Sequence, residues 1–172
     1  MAITRTEFHE LFTTHRGAVL GFARRRVDEH DAIDVVSDTF LVAWRRARDI
    51  PEDPLPWLLG VARKVISTKR RSASRLTALR SKLQGNDGPQ QLAPSIDRLE
   101  LADAFRSLSQ KDREVLMLVA WDGLDVHQAA LVLGCTPASF SVRLHRARKR
   151  LEAKLAPDSS TAKLTPNVEE CS

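Results

Sequence analysis

Val126-His127-Gln128-Ala129-Ala130-Leu131-Val132-Leu133-Gly134-Cys135-Thr136-Pro137-Ala138-Ser139-Phe140-Ser141-Val142-Arg143-Leu144 reads as two short helices joined by a tight turn. Asp125 and Gln128 have the spacing of a capping box at the start of the first helix. Gly134 permits a left-handed turn residue, and small Ala130 lets the helices approach closely. Thr136 then caps the second helix, with Pro137 at the first helical position, where its missing N–H costs nothing. This is helix-turn-helix spacing, in which the second helix enters the major groove of duplex DNA. At 3.6 residues per turn Phe140, Leu144, Ala147 and Leu151 share a core face. The opposite face carries Ala138, Ser139, Val142, His145, Arg146 and Lys149, flanked by Arg143 and Arg150, with the Thr136 cap just before it. Arg146 suits bidentate reading of guanine, and Lys149 with Arg143 and Arg150 suits phosphates.

Outward from this stretch, helical periodicity dominates and no convincing alternating strand appears. Upstream, Leu99, Ala102, Phe105 and Leu108 mark one helix, and Ser109 caps another that carries Val115, Leu116, Leu118 and Val119. Near the N-terminus, Thr4 and Glu7 open a helix predicted from about Arg5 to Arg26. A second is predicted from Ala32 to Arg48 with Asp31 as its cap. The prolines of Asp49-Ile50-Pro51-Glu52-Asp53-Pro54-Leu55-Pro56 should break the chain before a third, from about Leu55 to Arg71. The expectation is all-α: two small helical domains, 1–72 and 95–155, joined by a flexible linker, 73–94, and followed by a polar tail, 156–172. From Ser72 to Ala93 the linker could span about 70 Å if extended, so the two domains need not touch.

Charge is segregated within a net +5. Every charged residue from Arg63 to Lys82 is basic, as is every one from Arg143 to Arg150, whereas acids concentrate in Asp28-Glu29-His30-Asp31 with Asp34 and Asp38, just before and within the second helix. Such a pattern fits nucleic acid on one surface and a different partner on another. Trp57 reads as core, with stacking on unpaired bases as the alternative. The 172 residues contain no apolar run approaching a membrane span, and the N-terminus lacks the apolar core of a secretory signal, so membrane insertion is not expected and a cytoplasmic location is. Cys135 and Cys171 form neither a disulfide framework nor a zinc site. His9, His15, His30, His127 and His145 lie scattered, with no nucleophile partner and no metal spacing, and there is no glycine-rich phosphate loop. An enzyme is therefore not expected, nor is any metal or cofactor.

Asp31-Ala32-Ile33-Asp34-Val35-Val36-Ser37-Asp38-Thr39-Phe40-Leu41-Val42-Ala43-Trp44 resembles the polymerase-gripping helix of extracytoplasmic-function (ECF) sigma factors. Trp57-Leu58-Leu59-Gly60-Val61-Ala62-Arg63 is similar to their next helix, and Leu108 to Leu151 to their −35-reading domain. The resemblance implies a factor that directs bacterial RNA polymerase core to promoters and helps open them. It assigns Asp34, Ser37, Asp38, Leu41 and Arg45 to the polymerase clamp, with the flap as the second domain's contact on the large subunits. It assigns Asp49, Ile50, Pro51, Glu52 and Asp53 to a flipped −10 base, and Arg63, Lys64, Ser67, Lys69, Arg70 and Arg71 to the strand around it. The helix-turn-helix surface would read the −35 duplex. An anti-sigma factor is a further candidate partner, and binding to polymerase would bring the protein to the nucleoid. Ser37, Lys64, Thr68 and Asp125 stand where the family more often has Gln, Asn, Asp and Ser or Thr. The nearest rivals are a stand-alone helix-turn-helix regulator, which would need no polymerase-binding helix, and a helical module that binds only protein.

Overall fold

A computed structural model describes residues 4–80 and 96–155 of the chain. These residues form seven α-helices and a single 3₁₀ turn, with no strand among them. Helix α1 spans Arg5–Arg24. Thr4 Oγ1 accepts from the Glu7 amide at 3.2 Å and Glu7 Oε2 accepts from the Thr4 amide at 2.7 Å, so the capping box forms at both ends. The helix stops two residues short of the expected Arg26, because the Arg26 amide turns back to the Ala23 carbonyl at 2.8 Å.

Helix α2, Glu29–Arg45, begins and ends three residues before its expected limits. Asp28, not Asp31, is its cap, with Oδ1 accepting from the Asp31 amide at 2.8 Å. Glu29 and Asp31 then lie in the first turn, where carboxylates favour the positive end of the helix dipole. After the 3₁₀ turn Ala47–Asp49, α3 runs Pro54–Arg80. Pro54 and Pro56 occupy its first turn, whose amides have no partner inside the helix, so they begin it where they were expected to end the preceding break. At its other end α3 continues past Arg71 through the first part of the expected linker. The rest of that linker and the C-terminal tail, Cys171 included, lie outside the described residues.

Helices α4 (Ile96–Arg106), α5 (Gln110–Ala120), α6 (Val126–Leu133) and α7 (Pro137–Leu155) complete the described residues. Ser109 caps α5, Asp125 and Gln128 cap α6 reciprocally, and Thr136 Oγ1 accepts from the Ser139 amide at 3.2 Å before α7. Gly134 sits at φ 66° and ψ 41°, and the Cys135 amide reaches the Ala130 carbonyl at 3.0 Å, so the turn between α6 and α7 is closed by a left-handed glycine.

Val19 and Phe22 of α1, Val35 and Phe40 of α2, and Leu58, Leu59 and Ile66 of α3 fill one core. Val115 and Leu118 of α5, Ala129, Ala130 and Val132 of α6, and Phe140, Leu144 and Ala147 of α7 fill the other. The two cores are continuous, because α3 packs on α6. A Cβ at Gly60 would lie 3.8 Å from Val132 Cα, so the backbones approach where α3 has no side chain. The domains therefore touch, although the linker is long enough to let them separate. A long tether makes separation possible but does not oppose contact, and apolar surface left on α3 and α6 favours burial.

Gly134→Ala has room for its methyl but keeps a strained backbone, and is expected to lower unfolding free energy by about 1 kcal/mol in urea titration. Phe140→Ala, which empties a fully buried site, is expected to lower it by about 3–5 kcal/mol. A Gly134→Ala variant as stable as the parent would contradict the left-handed turn.

Candidate nucleic-acid interface

The turn at Gly134 fixes α7 so that Phe140, Leu144 and Ala147 are buried while Leu151 is half-buried. The opposite side then has to face outward. Ala138, Val142, Arg143, Arg146, Lys149 and Arg150 are exposed there and Ser139 is half-buried. Among the described residues, Arg143, Arg146 and Lys149 have no ion-pair partner within the chain, whereas Arg150 Nη1 bonds both carboxylate oxygens of Asp112 at 2.8 and 2.9 Å. Asp112 is also the acceptor for the Ser109 hydroxyl at the α5 cap, so Arg150 ties α7 to α5. The Thr136 hydroxyl is engaged as a cap acceptor. Arg143, Arg146 and Lys149 thus form an outward cationic stripe on a helix of the right shape for a major groove.

The residues expected to handle unpaired DNA are divided by the fold. Pro51, Glu52 and Asp53 are exposed and Ile50 is half-buried; Asp49 accepts from Arg46 Nε at 2.8 Å. On α3, Arg63, Ser67, Arg70 and Arg71 follow Gly60 at helical spacing and share its face, towards the second domain. Arg63 Nε donates to Glu114 Oε1 at 2.7 Å, and Arg70 Nη2 donates to the Arg26 carbonyl at 2.5 Å. Lys64 and Arg71 are exposed and unpaired among the described residues. Lys69 lies apart, with Nζ 3.1 Å from Asp34 Oδ2 and 3.8 Å from Asp31 Oδ1, so it serves the acidic ridge of α2. Burial alone pulls the Lys69 pKa down; the hydrogen bond and charge of Asp34, helped by Asp31 and Asp38, outweigh it and hold it above the ordinary lysine value.

On α2, Ser37, Asp38, Leu41 and Arg45 form one exposed stripe with half-buried Asp34. Ile33, Leu41 and Trp44 leave apolar surface beside those charges. Trp44 is steadied by an edge-on contact with Phe8, ring centres 4.9 Å apart. Trp57 is half-buried against the core, in line with its reading as a packing residue.

Sequence reasoning missed Arg25, Arg26, Glu114 and Asp122. The Asp122 side chain is only 2% exposed and accepts from Arg26 Nη2 at 2.8 Å and from Arg25. Arg26 also lies over the Phe22 ring, 3.5 Å from its centre. Burial lowers the Arg26 pKa, with Asp122 opposing that shift. Periodicity reports which face of a helix is apolar, not which charge meets a partner 96 residues away. The isolated carboxylate between Trp121 and Gly123 was the one visible hint. No group of three or more His, Cys, Asp or Glu side chains is placed to hold a metal among the described residues, and no helix there is long and apolar enough to cross a membrane.

Residues 11–76 match the family model for sigma-70 region 2, and residues 98–151 match that for sigma-70 region 4. The chain is 33% identical over 154 residues to the ECF RNA polymerase sigma factor SigL of Mycobacterium tuberculosis, covering 84% of this chain and 86% of that one. It is 32% identical to the RNA polymerase sigma factor CnrH of Cupriavidus metallidurans, covering 88% of each. The solved structure of CnrH in complex with the cytosolic domain of CnrY aligns with a TM-score of 0.62 at 28% identity, over 91% of this chain and 92% of that one. Sigma factor RpoE in complex with the anti-sigma factor NepR, from Bartonella quintana, aligns with a TM-score of 0.70 over 88% and 98%; at 24% identity that likeness speaks for the fold.

Because Lys69 gains its partners on folding and its pKa rises, its contribution to stability is full below the unfolded value near 10.4 and is lost as pH climbs through the folded one. Asp34→Asn is expected to lower the Lys69 pKa, followed by NMR titration of its side chain. An unmoved titration would show that Asp34 does not set it.

Proposed function

This chain belongs to the ECF sigma factors of RNA polymerase, which direct core enzyme to promoters and aid their opening, and from that premise we propose how its surfaces share the task. Sigma factors are initiation factors; the chemistry of RNA synthesis belongs to the polymerase.

Residues 1–72 act as the core-binding and −10 domain, 73–94 as the connector and 95–155 as the −35 domain. Asp34, Ser37, Asp38, Leu41 and Arg45 grip the polymerase clamp. The exposed ridge, in which charges flank Leu41 and Trp44, supports this, because desolvated apolar anchors ringed by polar groups carry most of the energy of a protein interface. The loop Asp49, Ile50, Pro51, Glu52 and Asp53 holds a base extruded from the −10 strand, at a cost of a few kcal/mol offset by stacking and hydrogen bonds. Arg63, Lys64, Ser67, Arg70 and Arg71 hold the backbone beside it, and Lys69 does so only if it leaves Asp34.

Ala138, Ser139, Val142, Arg143, Arg146, Lys149 and Arg150 meet the −35 duplex, with Thr136 fixing the start of the helix. The unpaired cationic stripe of α7 is the observation that carries this reading. Arg146 reads a guanine edge; Arg143, Lys149 and Arg150 take phosphates, which makes binding fall steeply with salt. The flap of the polymerase is the second domain's protein contact. CnrH and RpoE are described in complexes with CnrY and the anti-sigma factor NepR, and we assign this chain a regulator of the same kind. Such a protein works in the cytoplasm, at the nucleoid when bound to polymerase.

Run-off transcription with purified bacterial core and a promoter-fragment library tests the reading. Transcripts from a defined subset of fragments are expected only when the chain is present. Arg146→Ala with Lys149→Ala should abolish them while core binding persists; losing the guanine contact alone costs about 1–3 kcal/mol. Unchanged promoter activity would overturn the −35 assignment. Tight duplex binding by the chain alone, with no core association, would make it a stand-alone regulator.

A further inference from the structure

We infer that Val142 of α7 reads the 5-methyl group of a thymine in the −35 duplex, so that this chain prefers a T·A pair at one defined position. This rests on the assignment of α7 to the −35 element and adds a base to it. Val142 is placed by what lies behind it. Phe140 and Leu144, two residues to either side, are buried, and Leu151, nine residues on, is half-buried. At about 3.6 residues per turn all three fall on the side of the helix opposite Val142. The residue therefore points straight away from the core, and it keeps 50% of its surface in water. Ala138, Arg146 and Lys149, one or two turns away in the same outward row, are all exposed. The side chain at the centre of the face expected in the major groove is thus apolar, with cations beside it.

That chemistry selects a base. In the major groove guanine and adenine present N7 with a polar O6 or N6, cytosine presents its N4 amine, and thymine alone adds a methyl group. A branched aliphatic side chain pressed on any of the other three covers polar atoms without offering them a hydrogen bond, which costs their desolvation. On thymine it meets a methyl, and burying one such group raises affinity about fourfold. A protein partner suits the position less well. One valine among Arg143, Arg146 and Lys149 has no large apolar neighbour with which to build the desolvated centre of a protein interface. From Val142 to Arg146 is one turn, about 6 Å of rise, or about two base-pair steps. The thymine accordingly lies about two pairs from the guanine that Arg146 takes.

The full-length chain is assembled with core polymerase on a promoter fragment that run-off transcription selects from the library. Each thymine of its −35 segment is replaced in turn by deoxyuridine, which lacks only the methyl group. Competition binding then compares each replaced fragment with the unmodified one for the parent, Val142→Ala and Arg146→Ala. For the parent, one replacement is expected to weaken binding about fourfold. Val142→Ala should bind both fragments equally, and about as weakly as the parent binds the replaced one, because each change removes one side of the same contact. Alanine is the better helix former, so this variant keeps α7 intact. A fragment on which no thymine methyl matters, or a methyl effect that survives Val142→Ala, overturns the inference. Arg146→Ala separates that failure from a deeper one. If it weakens promoter binding while Val142 shows no methyl effect, α7 still reads the duplex and only the thymine assignment fails. If it leaves binding unchanged, or if the library yields no core-dependent transcripts, the −35 or the sigma assignment fails and the thymine reading falls with it.

Discussion

The two helical domains pack together where α3 meets α6 beside Gly60, and which surfaces remain open to outside partners depends on that packing. Each domain alone would bury a core of only a few helices, and small domains leave a large fraction of their apolar surface in water. Packed through α3 and α6, the cores around Leu58 and Leu59 and around Ala129 and Val132 become continuous. A methyl group at 60 would meet the α6 backbone at ordinary contact distance, and a side chain larger than alanine would have to push it away. The contact is therefore both a source of stability and the place where a small sequence change alters the relation of the two domains.

Charge then decides what each surface can do. The acidic ridge of α2 points outward with Leu41 and Trp44 beside it, a composition suited to another protein. Arg143, Arg146 and Lys149 of α7 point outward without ion-pair partners among the described residues, a composition suited to a duplex. The cations of α3 are mixed: Lys64 and Arg71 have no ion-pair partner among the described residues, Lys69 is held by Asp34, and Arg63 by Glu114. A basic run that looks uniform along the chain is thus split by three-dimensional packing into groups with different availability. Asp122 and Arg26 go furthest, since both are withdrawn from water and neither is free for any outside partner.

Much of this was legible in the sequence because it is local. The caps at Thr4, Ser109, Asp125 and Thr136, the turn at Gly134 and the buried face of Phe140, Leu144 and Ala147 follow from spacings of a few residues. The all-helical class follows from the same periodicity. Where neighbouring signals compete, local reading was less sharp. Asp28 and Asp31 can each cap α2, and the earlier one wins because its carboxylate finds the amide three residues on. Pro54 and Pro56 mark a boundary, but proline is as good a first-turn residue as it is a breaker. The contact between the domains was not legible at all. Composition identified residues around Gly85 to Gln91 as a connector, and nothing along the chain pairs Arg63 with Glu114 or Asp53 with Gln128.

The central claim is that one chain joins duplex reading to strand opening, and only in the company of polymerase. Permanganate and nuclease footprinting of a responsive promoter, with core enzyme alone, the chain alone and both together, measures the two acts on the same DNA. The account predicts upstream duplex protection together with permanganate-reactive thymines downstream only in the combined sample. Protection by the chain alone, with no reactive thymines whether or not core is added, would contradict it.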